Sequence, residues 1–240
     1  MNQDCRVEVL DSGFISLINT MGSDKTISDA ARVSFSTEKD EFDEADSRLI
    51  RRLWKDKHTS PFEHVHFTFY IKCPLPVARQ WMRHRTWNYS EVSRRYTSEN
   101  IDFYKPEFFR EQSFINKQAS TDISLPVISN KYWLKKYDII IRLAHELYNG
   151  MIIDGICREQ ARLVLPQAMY TKFIATVDLH NLFKFLSLRL ADDAQWEFRQ
   201  YAIAICSLIK PVIPVAFEIF ESELNSEKNS RRETPYVEPS

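Results

Sequence analysis

The chain has 240 residues, of which 44% are hydrophobic and 13% aromatic, enough for one ordinary core with no compositional break to divide it. Its 33 acidic and 32 basic residues nearly cancel, which excludes a global field that would hold it on DNA or an anionic membrane. Four scattered cysteines form no CxxC pair, and four glycines write neither a GxGxxG turn nor a Walker loop, so a zinc knuckle, a dithiol centre and the common phosphate loops are all disfavoured.

Residues 1–4 lack the start of a signal peptide, and no stretch approaches the roughly 20 apolar residues of a membrane span, so a cytoplasmic protein is expected. Residues 5–11 alternate as a short strand, and Ser28 reads as the cap of a first helix. Residues 42–57 place Leu49, Ile50, Leu53 and Trp54 on one side at helical spacing, the pattern of a surface helix.

From His64 to Lys72 the chain alternates cleanly, with Val65, Phe67, Phe69 and Ile71 on one face of a strand. Pro76 suits the first turn of the helix that follows, through His84, in which Gln80 and Arg83 share a face. Residues 104–130 have no period and read as an ordered loop or insertion. A long helix over 131–153 carries Trp133, Tyr137, Ile140, Ala144, Leu147 and Met151 in one stripe, and that stripe reads as core packing.

A short helix sets Arg158 and Arg162 one turn apart and stops at Pro166. Residues 170–177 read as a second strand, and Asp178 caps a helix through Leu190. Asp192 or Asp193 opens a further helix containing Trp196, Tyr201 and Ile205. Pro211 and Pro214 interrupt an apolar run ending near Leu224, and residues 225–240 are polar and expected to be disordered.

Chemistry concentrates between Arg83 and Arg95, where Arg83, Arg85, Arg94 and Arg95 stand with Ser90, Ser93 and Glu91 at a helix-to-loop junction. Guanidinium forks and loop amides at this density suit a phosphate. A solvated basic surface has the same charge count, and a nucleic-acid site could add Trp87, Tyr89 and Tyr96 as stacking platforms. His64 and His66 share a strand face with His58 nearby, yet no third ligand cluster supports a metal, and none is expected. No cysteine lies among arginines or histidines that would lower its pKa, so a cysteine nucleophile is not expected either.

The spacing of Arg83-His84-Arg85 from Ser93-Arg94-Arg95 resembles the RHR-x7-S signature of the flavin-dependent thymidylate synthases. His58-Thr59-Ser60-Pro61-Phe62-Glu63-His64 and ARQWMRHR are similar to neighbouring segments of that family, as are ARLVLPQAMYTKF, DLHNLFKFLSLRL and DAQWEFRQYA in the family's order. The resemblance covers roughly residues 25–220. It implies an α+β single domain over residues 1–224, a central mainly antiparallel sheet flanked by helices, assembled as a homotetramer whose sites are shared between subunits.

The resemblance further implies methylation of dUMP to dTMP, with 5,10-methylenetetrahydrofolate as one-carbon donor, FAD as hydride carrier and NADPH as reductant. Ser60, Arg83, His84, Arg85, Glu91, Asp178, His180 and Lys184 would then meet FAD, Lys184 standing where the family usually has Asn or His. Gln80, Arg83, Glu91, Ser93, Arg94, Arg95, Arg162 and Arg189 would hold dUMP. His58 would lie near the flavin. Arg189 falls on the helix face of Leu182, Phe185 and Leu186, so its charge should approach the interior and need an anion there. The resemblance supplies the uracil ring as that anion, with Arg189 polarising it; the alternative is a salt bridge to an internal acid. A flavoprotein oxidoreductase without methylation activity remains open.

Overall fold

The computed structural model describes residues 5–36, 38–114, 116–117 and 119–233. Strands β1 (Arg6–Val9) and β2 (Gly13–Met21) form a hairpin, and helices α1 (Asp24–Arg32) and α2 (Glu44–Lys55) follow. Strand β3 (His66–Pro74) leads directly into α3 (Leu75–Trp81), then β4 (Asn88–Glu91). A second hairpin, β5 (Arg110–Gln112) and β6 (Ser120–Ser124), precedes the long helix α4 (Val127–Ile153) and the short α5 (Arg158–Ala161). Strand β7 (Tyr170–Asp178) is followed by α6 (Leu179–Arg189), α7 (Trp196–Ile209) and α8 (Pro214–Glu233).

The main sheet has the order β1-β2-β3-β7-β4, every pair antiparallel, so the expected α+β architecture with an antiparallel sheet is present in one domain. Alternation along β3 dictates which side is covered. Val65, just before the strand, and Phe67, Phe69 and Ile71 within it are fully buried, and Phe173, Ala175 and Val177 of β7 continue the same face. Each of the Val, Ile and Phe side chains contributes about 1.5–3 kcal/mol of burial. Helices α6 and α7 cover them with Phe185, Phe198, Tyr201 and Ile205, which join the same core. Among the described residues no helix is long and apolar enough to cross a membrane.

Several local expectations need correction. Helix α1 begins at Asp24, because the Ser23 amide donates to Thr26 Oγ1 at 3.0 Å; Ser28 is buried within the helix rather than capping it. The interval 104–130 contains the β5–β6 hairpin, whose short polar strands carry no apolar alternation to reveal them. Helix α7 starts after Gln195 rather than at Asp192 or Asp193. The backbone of α8 continues to Glu233, where a disordered tail from 225 is expected, and residues 234–240 lie outside the described residues.

The stripe on α4 is the largest correction. Trp133, Ile140 and Leu147 are 53%, 61% and 54% exposed, whereas Ile141 and Tyr148, on a different face, are buried. Helical periodicity identifies an apolar face but not what covers it. Here the chain's own core does not.

Candidate active site

The segment around Arg83-His84-Arg85 is shaped by aromatic residues on either side. Trp81 is fully buried against Phe185 and Phe198, with ring centroids 5.2 and 5.1 Å away, and Trp87 packs on Phe185 at 4.9 Å. Tyr89 closes the turn by placing its hydroxyl 2.9 Å from the Trp81 carbonyl and 3.0 Å from the His84 carbonyl. With both ends of the turn fixed in the core, His84 turns inward and Arg83 and Arg85 turn to solvent. Neither arginine has an ion-pair partner among the described residues.

Arg189, the last residue of α6, reaches the same turn. Its Nε and Nη2 lie 3.1 and 2.9 Å from His84 Nε2, and its guanidinium carbon is 4.7 Å from the centroid of the Phe198 ring. A guanidinium only donates, so Nε2 must accept and the imidazole proton sits on Nδ1. Burial and the Arg189 charge push the His84 pKa down from 6.5 to about 4, which keeps the ring neutral. Burial likewise lowers the pKa of Arg189, though a guanidinium stays charged at neutral pH. Among the described residues no carboxylate pairs with Arg189, so the internal salt bridge weighed as its alternative is absent there. The result is a partly buried cation held by a neutral ring and an aromatic face, ready for an anion.

Gln80, one turn before His84, donates its amide nitrogen to Gln195 Oε1 at the start of α7. Gln80, His84 and Arg189 therefore gather where α3, α6 and α7 meet. The other end of α6 collects a second group. The short 3-10 turn Ser60–His64 carries Ser60 on the surface, and Glu63 Oε1 lies 3.3 Å from His180 Nδ1. Asp178 caps α6 as expected, accepting from the Asn181 amide at 2.9 Å. His180 and Lys184 are four residues apart on the same helix face, and Lys184 is exposed.

A third group lies beyond β4. Ser93 Oγ accepts from the Arg95 amide at 3.2 Å, and Arg95 meets Glu159 of α5 at 3.4 Å. That contact brings Arg95 beside the turn carrying the exposed Arg162. Glu91 Oε1 accepts from the Thr171 hydroxyl at 2.5 Å, and with Arg94 it lines a depression of about 450 Å³. Arg94, expected to meet dUMP, turns its side chain away from solvent. Its guanidinium is buried and donates to the carbonyls of Glu99 and Asn100, at 2.6 and 3.2 Å, so it staples the loop 94–100. His58 is exposed and makes none of the contacts described for the site.

The Arg83-His84-Arg85 segment and the Ser93–Arg95 turn bracket β4 and lie at its opposite ends. A cavity of about 690 Å³ between β1 and α7 contains none of the expected site residues. The sequence alone assigned no role to Gln195 or Glu197, although both lie in DAQWEFRQYA; an acid set between Trp196 and Phe198 was the available signal.

Residues 16–215 match the family model described as thymidylate synthase complementing protein. A flavin-dependent thymidylate synthase of Thermus thermophilus is 45% identical over 218 residues, covering 91% of this chain and 79% of that one. The enzyme of the same description from Treponema pallidum is 40% identical, covering 91% of this chain and 72% of its own length. Among solved structures, the UMP/dUMP methylase PolB from Streptomyces cacaoi bound with 5-Br UMP superposes with a TM-score of 0.79 at 29% identity, covering 90% of this chain and 96% of that one. Fold and sequence thus define a methyltransferase of the α+β class. The chain belongs to the flavin-dependent thymidylate synthase family.

Proposed function

We propose that the chain methylates C5 of dUMP to give dTMP, taking the one-carbon unit from 5,10-methylenetetrahydrofolate. The observation that carries this reading is Arg189: a partly buried guanidinium, oriented by His84 and Phe198 and without an acid among the described residues. Such a cation stabilises negative charge as it develops on the uracil carbonyl, which makes C5 nucleophilic. Arginine is too weakly acidic to act as the base at neutral pH, so its contribution is electrostatic. Family membership and the UMP/dUMP methylase neighbour favour dUMP as the substrate.

No enzyme nucleophile is needed. Burial raises the pKa of Cys73 and pushes Cys206 up to about 12, so neither supplies a thiolate near neutrality. The donor set fits an anionic flavin dinucleotide: Arg83 and Arg85 present forks that no acid among the described residues claims, with the Ser60 hydroxyl, the His180 ring and the Lys184 amine as further donors. These residues, together with His84, Glu91 and Asp178, would hold FAD. A bound FAD reduced by NADPH supplies the hydride that completes the methyl group.

Ser93, Arg95 and Arg162 take the 5′-phosphate of dUMP in this reading, Gln80 and Arg189 take the base, and Arg83 and Glu91 also meet the nucleotide. Arg94 contributes through its backbone, since its guanidinium holds the loop. Family membership favours a homotetramer in which residues of one copy complete the site of another.

The test is dTMP formation by the purified chain from dUMP, methylenetetrahydrofolate and NADPH. Arg189→Ala is expected to retain the fold and bound flavin and to lose dTMP formation by several orders of magnitude. Wild-type turnover in that variant would remove Arg189 from the chemistry.

A further inference from the structure

Glu197, in the first turn of α7, is buried and its carboxylate is fully engaged. Oε1 accepts from Arg110 Nη2 at 2.5 Å and from the Tyr104 hydroxyl at 3.3 Å; Oε2 accepts from Gln195 Nε2 at 3.0 Å. The Arg110 guanidinium also lies 4.7 Å over the Trp196 ring, which fixes it from a second side. Burial opposes ionisation of Glu197, and the bonds from Arg110 and Gln195 outweigh it, so its carboxyl titrates below the ordinary glutamate value.

A carboxylate has lone pairs and no proton to give, so Gln195 can meet it only with its amide nitrogen. That choice turns Gln195 Oε1 toward Gln80, whose amide must answer with Nε2. The Gln80 carbonyl oxygen is left over, with no partner among the described residues. Polarity fixed at a buried acid is thereby passed through two amides to Gln80, four residues before the histidine that holds Arg189.

We propose that Glu197 and Gln195 are positioning residues that hold the Gln80 carbonyl as an acceptor for the ring N–H of a uracil base, and so reject cytosine. Uracil carries a hydrogen on N3 next to the O4 acceptor, which complements the Gln80 acceptor beside the Arg189 donors. Cytosine reverses both atoms: a lone pair at N3 would oppose the Gln80 oxygen, and an amino group would oppose the guanidinium. Buried polar groups left unpaired by the wrong ligand are a strong source of discrimination. This inference rests on the reading that Gln80 meets the nucleotide base.

The experiment measures affinities for dUMP and dCMP, with KM and kcat for dUMP, on the flavin-loaded full chain. Gln195→Met removes the relay and leaves the Arg110–Glu197 pair intact. It is expected to weaken dUMP binding on the order of tenfold, equivalent to about 1.4 kcal/mol, and to narrow the dUMP to dCMP preference similarly while thermal stability holds. Glu197→Gln allows either amide orientation and should narrow the same ratio. Arg110→Met in mildly alkaline buffer keeps the carboxylate and should keep the ratio, which a merely structural ion pair would not. A folded Gln195→Met protein with the wild-type ratio overturns the relay, and this variant decides alone if Glu197→Gln does not fold. Gln80→Met with wild-type dUMP affinity would instead overturn the underlying reading, so the two failures are distinguishable.

Discussion

His84, in the turn after α3, and Arg189, at the end of α6, are separated by about a hundred residues of sequence, yet each explains the state of the other. The arginine needs an acceptor in a place where water is scarce, and the histidine provides one only while neutral. This has a pH consequence. A histidine whose folded pKa, about 4, lies below its ordinary 6.5 binds more protons unfolded than folded between those values. Its contribution to stability is therefore complete above about pH 6.5 and is lost as pH falls toward 4. His84→Gln, which can still accept from Arg189, should flatten urea stability across that window relative to wild type. An unchanged slope would show that His84 does not titrate as described.

At the scale of elements, the sheet is tied together by close approaches as well as by its ladder. The Tyr201 hydroxyl of α7 donates to the Lys72 carbonyl of β3 at 2.7 Å, directly beside Gly13 at the start of β2. A Cβ at position 13 would meet that hydroxyl and the carbonyls of Val9 and Lys72 inside contact distance. Gly13→Ala should therefore cost about 1–3 kcal/mol, read as a lower urea midpoint. An equal midpoint would mean that α7 can shift without cost. The same helix is preceded by Gln195 and begins with Trp196, Glu197 and Phe198, so loosening its seat on the sheet also disturbs the ledge on which Gln80 and Arg189 rest.

For the whole molecule, the unanswered feature of one chain is the exposed apolar face of α4, which includes Ile140, Leu143 and Leu147. Contiguous apolar surface of this kind marks an interface, and the proposed tetramer offers other copies of the chain as its cover. Ile140→Glu combined with Leu147→Glu should convert the assembly to smaller species in sedimentation and abolish dTMP formation together, because sites shared between copies are lost when the copies separate. An unchanged mass would place the interface elsewhere.

Much of this molecule was legible before any coordinates. The period of two in Val65, Phe67, Phe69 and Ile71 determined a one-sided strand, Asp178 determined where α6 begins, and the Arg83–Arg95 cluster marked a concentration of cationic donors. Those features are local, set by side-chain alternation, capping and charge density. Only the tertiary structure decided that Arg94 turns inward to staple a loop, that His84 accepts from Arg189, and that the α4 stripe faces outward. It also brought Gln195 and Glu197 to Gln80. Each of these depends on what a side chain meets across long stretches of sequence, and periodicity specifies which residues share a face without specifying the partner of that face.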